Sequence, residues 1–286
     1  MSSSEYLNYE SGKFSKSKGV GVFGSDAMET GIPSDVWRFY IYYNRPEKSD
    51  ALFTWDDFQI RVNSELIGNL GNLINRTLTF LYKFYEGKIP DSPGNEEFRK
   101  TIFEREEEIT RHLDRAELKD ALKKILALSS IANKAFQDGE PWKTRTTDPD
   151  KADALLFDLV YTVKDLAVLI SPFLPETSRR VASFLNLENL SWDMLGQREG
   201  LKKIQKPEIL FTPLEDPQIS ELRNKFSGTQ KERAMESEKQ EQEKIKEQIS
   251  PEDAFRTSVD LRAAVITDVE RHPEADKLYI ETVSLG

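Results

Sequence analysis

The feature that most constrains the fold is a long run of apolar residues at helical spacing, which begins after Thr54 and ends at Gly87. Its apolar positions recur every three or four residues: Phe58, Val62, Leu66, Leu70, Leu73, Ile74, Phe80, Leu81 and Phe84. Thr54 with Asp57 three residues later is a helix start signal, because each side chain can accept a bond from the other's backbone N–H. The pattern predicts one amphipathic helix of about eight turns, whose apolar stripe needs packing partners.

Four other segments show the same spacing, and each is predicted to be a helix. The first begins near Ser34, with Ser34 or Asp35 as its N-cap, and stops at Arg45-Pro46. The others run from Leu118 to Gly139, from Leu155 to Pro172, and through Val181 and Leu185 to Asn186. Helices with apolar stripes bury them against one another, so the sequence predicts a mainly α fold centred on a helix bundle.

The C-terminal part of the chain differs in composition. Residues 201–250 are predicted to be a charged linker, because acidic and basic side chains are mixed between Asp216 and Ile249, with few large apolar residues after Phe226. From residue 251 the apolar residues form β-type runs on either side of a turn at 272–276: Val259, Leu261, Val265, Ile266 and Val269, then Leu278, Ile280 and Val283. Two or three strands cannot bury a core alone.

Composition excludes several classes of function. The chain has no cysteine, so it can hold neither a disulfide nor a thiolate zinc site, and its two histidines, His112 and His272, are far apart in sequence. A net charge of −10 argues against a general attraction for nucleic acid, so any RNA contact must be local. No apolar run of about 18 residues could span a bilayer, and the polar opening is unlike a signal peptide. We therefore expect a cytoplasmic protein of 286 residues without a metal site or membrane partner.

A short basic loop, Lys13-Phe14-Ser15-Lys16-Ser17-Lys18-Gly19, has the chemistry of a polyphosphate-binding site. Lysine side chains can follow a moving pyrophosphate, while hydroxyl and backbone N–H groups can bond its oxygens. Flanking glycines allow the backbone to approach closely. A solvated basic loop is the more frequent explanation of so short a motif, and the surrounding residues must decide.

A second candidate site is a set of polar residues within the long helix, namely Asn69, Asn72, Asn75 and Arg76, with Gly68 and Gly71 among them. Spacings of three and four place Asn69, Asn72 and Arg76 on one face. Asparagine and glycine are poor helix residues, and such exceptions are tolerated where function or close packing requires them. Packing is an equal alternative: the glycines would admit another helix and the asparagines would bond across the contact.

The third candidate is Trp142 in Glu140-Pro141-Trp142, directly after the predicted helix end at Gly139. Proline restricts the backbone there, and an indole ring offers a flat face on which an unstacked base can lie. By itself, a single tryptophan is more often a packing residue.

These motifs together resemble methionyl-tRNA synthetases, a family of class I aminoacyl-tRNA synthetases. The likeness rests on the loop with its flanks Glu5–Glu10 and Val20–Gly24, on Ser34–Tyr40, Asn72–Arg76 and Glu140–Trp142, and on Val259–Arg262 with His272–Tyr279. The last two are similar to the opening of an appended OB-fold tRNA-binding module, although Ala263-Ala264 stands where Val-Gly is more usual.

The resemblance implies roles for the loop. Lys13 and Lys16 would be catalytic, stabilising charge on the departing pyrophosphate, and Lys16 is the better candidate for direct contact with ATP. Ser15 and Ser17 would complete the ATP site, with Mg²⁺ in the complete enzyme. Because no nucleotide- and methionine-binding half precedes Met1, the chain is expected to need that half as a partner, in the same chain or another, and to be inactive alone.

The resemblance also implies how tRNA is recognised. Asn72, Arg76 and Trp142 would recognise the CAU anticodon of a methionine tRNA, and a complete OB-fold domain would also allow a homodimer. Four domains are expected: the end of a catalytic domain (1–32), an anticodon-binding helix bundle (33–200), the charged linker (201–250) and the start of an OB-fold domain (251–286).

The resulting interpretation is the C-terminal part of a methionine-tRNA ligase, which joins methionine to tRNA with ATP during translation. Two alternatives stay open. A different class I synthetase should lack the combination of Asn72, Arg76 and Trp142 with the terminal OB-like segment. A non-catalytic tRNA-binding protein, or a subunit of a split synthetase, would use everything except the loop for RNA recognition.

Overall fold

The computed structural model describes residues 4–10, 12–15, 17–228, 235, 262–275 and 277–285. Residues 1–230 form one compact unit and residues 231–286 a second. Among the described residues, no helix is both long enough and apolar enough to cross a membrane.

The first unit opens with a small three-stranded sheet. It consists of β1 (Leu7–Tyr9), β2 (Gly12–Lys13) and β3 (Ala51–Phe53) in the order β2-β1-β3, with β1 antiparallel to β2 and parallel to β3. Two helices, α1 (Gly24–Glu29) and α2 (Ser34–Tyr43), lie between β2 and β3 in sequence. Because β3 follows α2, the sheet crosses the domain boundary expected at residue 32, and it connects the basic loop to the helical body.

The predicted long helix is present, but its middle is not α-helical. It comprises α3 (Trp55–Arg61), a π-helical segment (Val62–Gly71) and α4 (Asn72–Phe84), and the Thr54 hydroxyl accepts the Asp57 N–H as expected. The predicted apolar positions from Phe58 to Leu81 are buried. Apolar spacing alone does not distinguish a π-helical insertion from continuous α-helix.

Five further helices complete the bundle: α5 (Glu96–Asp114), α6 (Leu118–Gly139), α7 (Pro141–Thr147), α8 (Pro149–Ile170) and α9 (Pro175–Phe184). Helix α8 is central, with nearly every residue from Leu156 to Ile170 buried. Helix α5 is absent from the sequence-based prediction. Its buried stripe is narrow (Ile102, Glu106 and Ile109), but Asn95 caps it by accepting the Phe98 N–H, which is a start signal that the sequence does contain.

The N-cap expected for α2 is wrong. Pro33 occupies that position, and Ser34 is the first helical residue. The buried carboxylate of Asp35 instead accepts both the backbone N–H and the hydroxyl of Thr177, which stabilises the first turn of α9. A cap therefore exists, but it serves a helix 142 residues further along the chain.

The predicted linker does not begin at residue 201. A short 3₁₀ turn (Trp192–Met194) leads to an extended segment and to α10 (Asp216–Lys225), and these contribute seven buried apolar side chains: Leu201, Ile204, Phe211, Leu214, Ile219, Leu222 and Phe226. These residues are spaced too irregularly to form an amphipathic pattern, yet they add to the core. The rest of the predicted linker, from residue 229 to 250, lies outside the described residues apart from Met235.

The described part of the second unit is a β-hairpin. Strands β4 (Val265–Arg271) and β5 (Tyr279–Ser284) pair antiparallel, with a bulge between Ile266 and Asp268. The hairpin matches the predicted β-type runs on either side of the turn, while Val259, Leu261 and Asp276 lie outside the described residues.

Candidate functional site

The polar set within the long helix faces α6, and its members have different roles. Asn69 donates to Leu126 O at 2.9 Å, while Asn133 donates to Asn69 O at 2.9 Å and to its Oδ1 at 3.2 Å. Asn69 is thus a packing residue that joins two helices. Asn72, one turn further along, donates to Asn133 Oδ1 at 3.4 Å but is itself exposed, and its own Oδ1 has no partner among the described residues.

Arg76 lies over an aromatic ring at the surface. Its guanidinium carbon is 3.8 Å from the centroid of the Phe136 ring, and its Nη2 is 3.4 Å from Gln137 Oε1. Partial burial lowers the pKa of Arg76 from its ordinary value, although the group stays protonated at neutral pH. It makes no ion pair with any carboxylate that the structure describes. Stacking on Phe136 fixes the plane of the guanidinium while its outer N–H groups remain available.

Trp142 is positioned by a sharp corner between α6 and α7. A Cβ at Gly139 would lie 2.4 Å from Leu155 Cδ2, so any larger residue there would displace the Leu155 side chain on α8. Glu140 then adopts a left-handed conformation with φ of 43°, and Pro141 begins α7. The Trp142 ring stacks beside Phe136, with centroids 6.2 Å apart and planes inclined by 30°, and the residue is 39% exposed.

Arg76, Phe136 and Trp142 therefore form one continuous stack, with Asn72 beside it. We call Asn72, Arg76 and Trp142 the recognition face. The structure brings these three predicted residues to one surface although up to 70 positions separate them in sequence. Sequence reasoning missed Asn133, Phe136 and Gln137, which support the face; the available signal was the amide pair Asn133 and Gln137, four residues apart and therefore on one face of α6.

The basic loop forms a tight turn. Ser15 and Val20 exchange backbone hydrogen bonds of 3.1 and 3.0 Å, and the Ser15 and Ser17 hydroxyl oxygens lie 3.4 Å apart. Gly21 has φ of +117°, and a Cβ there would lie 2.2 Å from the Phe14 ring. Lys13 is exposed, with its Nζ 5.9 Å from the centroid of the Tyr6 ring. Lys16 lies outside the described residues.

The donor set of this loop is suited to a polyphosphate. Exposed Lys13 forms no ion pair with a described carboxylate, and two hydroxyls point to the same side closely enough to contact each other. A cation and hydroxyl donors without a competing carboxylate are the groups that phosphate oxygens require.

His112 is not isolated in the structure, although it is isolated in sequence. Its Nδ1 lies 2.6 Å from Glu117 Oε2, and Asp120 is close enough that the three side chains could share an ion. Lys48 already lies 3.4 Å from Asp120 Oδ2, which offsets the negative charge. We interpret the group as a polar contact at the corner between α5 and α6.

Comparison with known proteins identifies the class and then the family. Residues 1–78 match the family described as class I tRNA synthetases (M), so the chain has the features of a class I aminoacyl-tRNA synthetase. Residues 89–231 match the anticodon-binding domain of methionyl tRNA ligase. The chain belongs to the methionyl-tRNA ligase family, and the resemblance inferred from its motifs is confirmed.

Curated relatives match along essentially the whole chain. The methionine-tRNA ligase of Treponema denticola is 46% identical over 333 aligned residues, covering 100% of this chain and 42% of the relative. That of Borreliella burgdorferi is 49% identical, covering 98% of this chain and 38% of the relative. The chain thus spans about two fifths of the length of these relatives.

Solved structures support the fold. The apo form of Mycobacterium tuberculosis methionyl-tRNA synthetase aligns with a TM-score of 0.63 at 21% identity, covering 74% of this chain and 43% of that one. The same enzyme bound by methionyl-adenylate aligns with a TM-score of 0.65, also at 21% identity, covering 72% and 43%. The prediction of a mainly α, bundle-based fold is confirmed.

Proposed function

We propose that this chain provides anticodon recognition and one ATP-contacting loop to a methionine-tRNA ligase, which joins methionine to tRNA with ATP in the cytoplasm. The observation that supports this most directly is the stack of Arg76, buried Phe136 and exposed Trp142 beside Asn72. Membership of the methionyl-tRNA ligase family supplies the chemistry, and the stack supplies a surface that fits unstacked bases.

Each residue of the recognition face has a distinct role in the proposal. The exposed ring of Trp142 receives one unstacked base, and buried Phe136 behind it holds the ring in place. Arg76 donates from a fixed plane to a base edge or a phosphate. Asn72 is held by one N–H bond to Asn133 and accepts through its Oδ1, which has no partner among the described residues. A base whose ring stacks on Trp142 can bond Asn72 through a donor on its edge and Arg76 through an acceptor on its edge or a phosphate.

Fixed geometry is what makes these contacts selective. Arg76 is held by the Phe136 ring, and Asn72 by the asparagine contact with α6, so little side-chain entropy is lost when RNA binds. A lysine in place of Arg76 could keep the charge but would lose the stacked plane.

We further propose that Lys13, Lys16, Ser15 and Ser17 contact ATP. ATP, with Mg²⁺, supplies the activated phosphate that makes methionine reactive. Lys13 and Lys16 would neutralise charge on the departing pyrophosphate, while the two hydroxyls bond its oxygens. This role requires a nucleotide- and methionine-binding half as a partner, and the β4–β5 hairpin is proposed to add an RNA contact of its own.

Replacement of Trp142 by alanine tests the proposal. Binding to tRNA carrying CAU should weaken by roughly 1 to 3 kcal/mol, the usual contribution of one base–aromatic stack. The loss of affinity should be small for a tRNA whose anticodon is already mismatched, because Trp142 then contributes little to binding and its removal changes little. Affinities are measured for both tRNAs at one salt concentration, since phosphate contacts depend on salt.

Trp192 provides a matched control, because it is also 39% exposed but lies on the 3₁₀ turn, outside the recognition face. Trp192→Ala should leave both affinities unchanged. Equal losses for matched and mismatched tRNA in Trp142→Ala, accompanied by a lower melting temperature, would assign Trp142 a packing role only and would remove the main support for anticodon recognition.

A further inference from the structure

A groove runs along the side of the long helix next to the recognition face. Its volume is about 380 Å³, within the usual range of small-ligand sites. One wall is helical and the other is the extended segment before α10; the lining residues are Ile67, Gly68, Gly71, Asn72, Asn75, Ile209, Leu210 and Phe211. Because Asn72 belongs to both, the groove is continuous with the recognition face.

The two walls are held at a fixed separation. Asn63 bonds both the N–H and the carbonyl oxygen of Leu214, each at 2.9 Å, and Arg180 donates to Leu210 O at 3.0 Å and to Ile209 O at 2.9 Å. A Cβ at Gly71 would lie 3.3 Å from the Phe211 ring, so glycine permits the close approach of the segment. The groove is thus formed before any ligand arrives.

The polar groups in the groove form a complementary pair. Asn72 donates one N–H to Asn133, and its Oδ1 is available as an acceptor. Asn75 accepts from the Thr79 hydroxyl through its Oδ1 at 3.3 Å, which leaves its Nδ2 as a donor. Neither free atom has a partner among the residues that the structure describes. An acceptor and a donor one helical turn apart match the alternating donors and acceptors on the edge of a nucleobase.

The walls suit the faces of a base. Exposed Ile209 and half-buried Leu210 line one side and Ile67 and Gly68 the other, while the buried Phe211 ring packs against Gly71. A planar ring that is apolar on its faces and polar at its edge would bury its faces against these walls. Single-stranded RNA presents such rings when its loop bases are unstacked.

We propose that this groove binds a second unstacked base of the same RNA, with the second lone pair of Asn72 Oδ1 accepting from that base's edge, its first being used by the base at the recognition face, and with Asn75 Nδ2 donating to it. The proposal rests on the proposed function, because it takes the RNA to be the one held at the recognition face. It makes Asn75 a further specificity-determining residue, with a role separate from that of Trp142.

The test uses the full chain and anticodon stem-loop RNAs in which each loop position in turn is an abasic nucleotide. Asn75→Ala should weaken binding of the intact RNA by about 2- to 12-fold, the range for one hydrogen bond. When the abasic nucleotide is at the loop position whose base occupies the groove, Asn75→Ala and the wild-type protein should bind the RNA with the same affinity. Ile209→Ser, which removes an exposed apolar wall, should show its loss at the same position.

Asn224→Ala is the matched control, because Asn224 is an exposed helical asparagine on α10 outside the groove. It should bind every RNA as the wild type does. Undiminished binding by Asn75→Ala, or an equal loss at every abasic position, would overturn the groove assignment. The proposed function is judged separately, by whether the wild type prefers CAU over a mismatched anticodon, so the two can fail independently.

Discussion

Replacing the buried Glu106 by glutamine should stabilise the protein increasingly as pH rises. Glu106 lies on α5 and is 4% exposed. It faces Lys164 and Asp165 on α8 and Arg198 beyond the 3₁₀ turn. Asp165 is already paired, with its Oδ1 3.0 Å from Lys164 Nζ and its Oδ2 2.5 Å from Arg198 Nη1. Glu106 is therefore a second carboxyl group beside Asp165, and the two neighbouring cations, Lys164 and Arg198, are already paired with Asp165.

Burial, followed by the charge of Asp165 and a hydrogen bond to it, raises the pKa of Glu106 from 4.5 to about 8, against the smaller opposing effects of Arg198 and Lys164. At neutral pH the folded protein holds this proton, whereas the unfolded chain releases it. The free energy of unfolding should therefore fall with rising pH between 4.5 and 8, by up to about 1.4 kcal/mol per pH unit. Between pH 4.5 and 7 this amounts to roughly 3 kcal/mol.

Glutamine keeps the shape and can donate to Asp165 as the protonated acid does, but it has no proton to lose. Glu106→Gln should match the wild type near pH 4.5 and exceed its free energy of unfolding by a margin that widens up to pH 8. Urea unfolding followed by tryptophan fluorescence measures this, because Trp37, Trp55, Trp142 and Trp192 all lie in the first unit.

Glu107→Gln is the matched control, because Glu107 is the exposed neighbour on the same helix. It should follow the wild-type pH dependence. Parallel curves for the wild type and Glu106→Gln would refute the assignment of a bound proton to Glu106.

Two further predictions concern a glycine beside Asp158 and the proposed role of the basic loop. Gly94 and Gly31 share a φ of +70°, but a Cβ at Gly94 would lie 2.3 Å from Asp158 Oδ1, whereas nothing lies within 4 Å of one at Gly31. Gly31→Ala should therefore lower the free energy of unfolding in urea by about 1 kcal/mol, from backbone strain alone. Gly94→Ala should lower it by roughly 1 to 3 kcal/mol more, because of the clash. Equal costs would contradict the clash. In a ligase that joins this chain to a nucleotide-binding half, Lys16→Ala should slow methionine-dependent ATP–pyrophosphate exchange and leave tRNA affinity unchanged, because its charge is used on the polyphosphate; undiminished exchange would refute that role.

Local sequence indicated where the candidate site lies, but not which residues form it. Asparagine and glycine within a helix drew attention to residues 68–76, and proline after a helix end drew attention to Trp142. The choice of Asn72, Arg76 and Trp142 as the recognition face came from the family resemblance. The sequence could not separate Asn69 from Asn72, which are three residues apart on the same face. That difference depends on α6, where Leu126 and Asn133 satisfy Asn69 but leave Asn72 Oδ1 free.

The sequence by itself determined the helical stripes, their start at Thr54 and stop at Gly139, and the hairpin between Val265 and Ser284, because these follow from spacing and capping within a few residues. Tertiary structure decided the π-helical segment, the burial of seven apolar side chains between Leu201 and Phe226, and the pairing of the Asp35 carboxylate with α9. Each of these depends on contacts between residues far apart in the chain, such as Gly71 with Phe211 and Asn63 with Leu214. Local periodicity carries no information about such contacts, since only packing brings the two partners together.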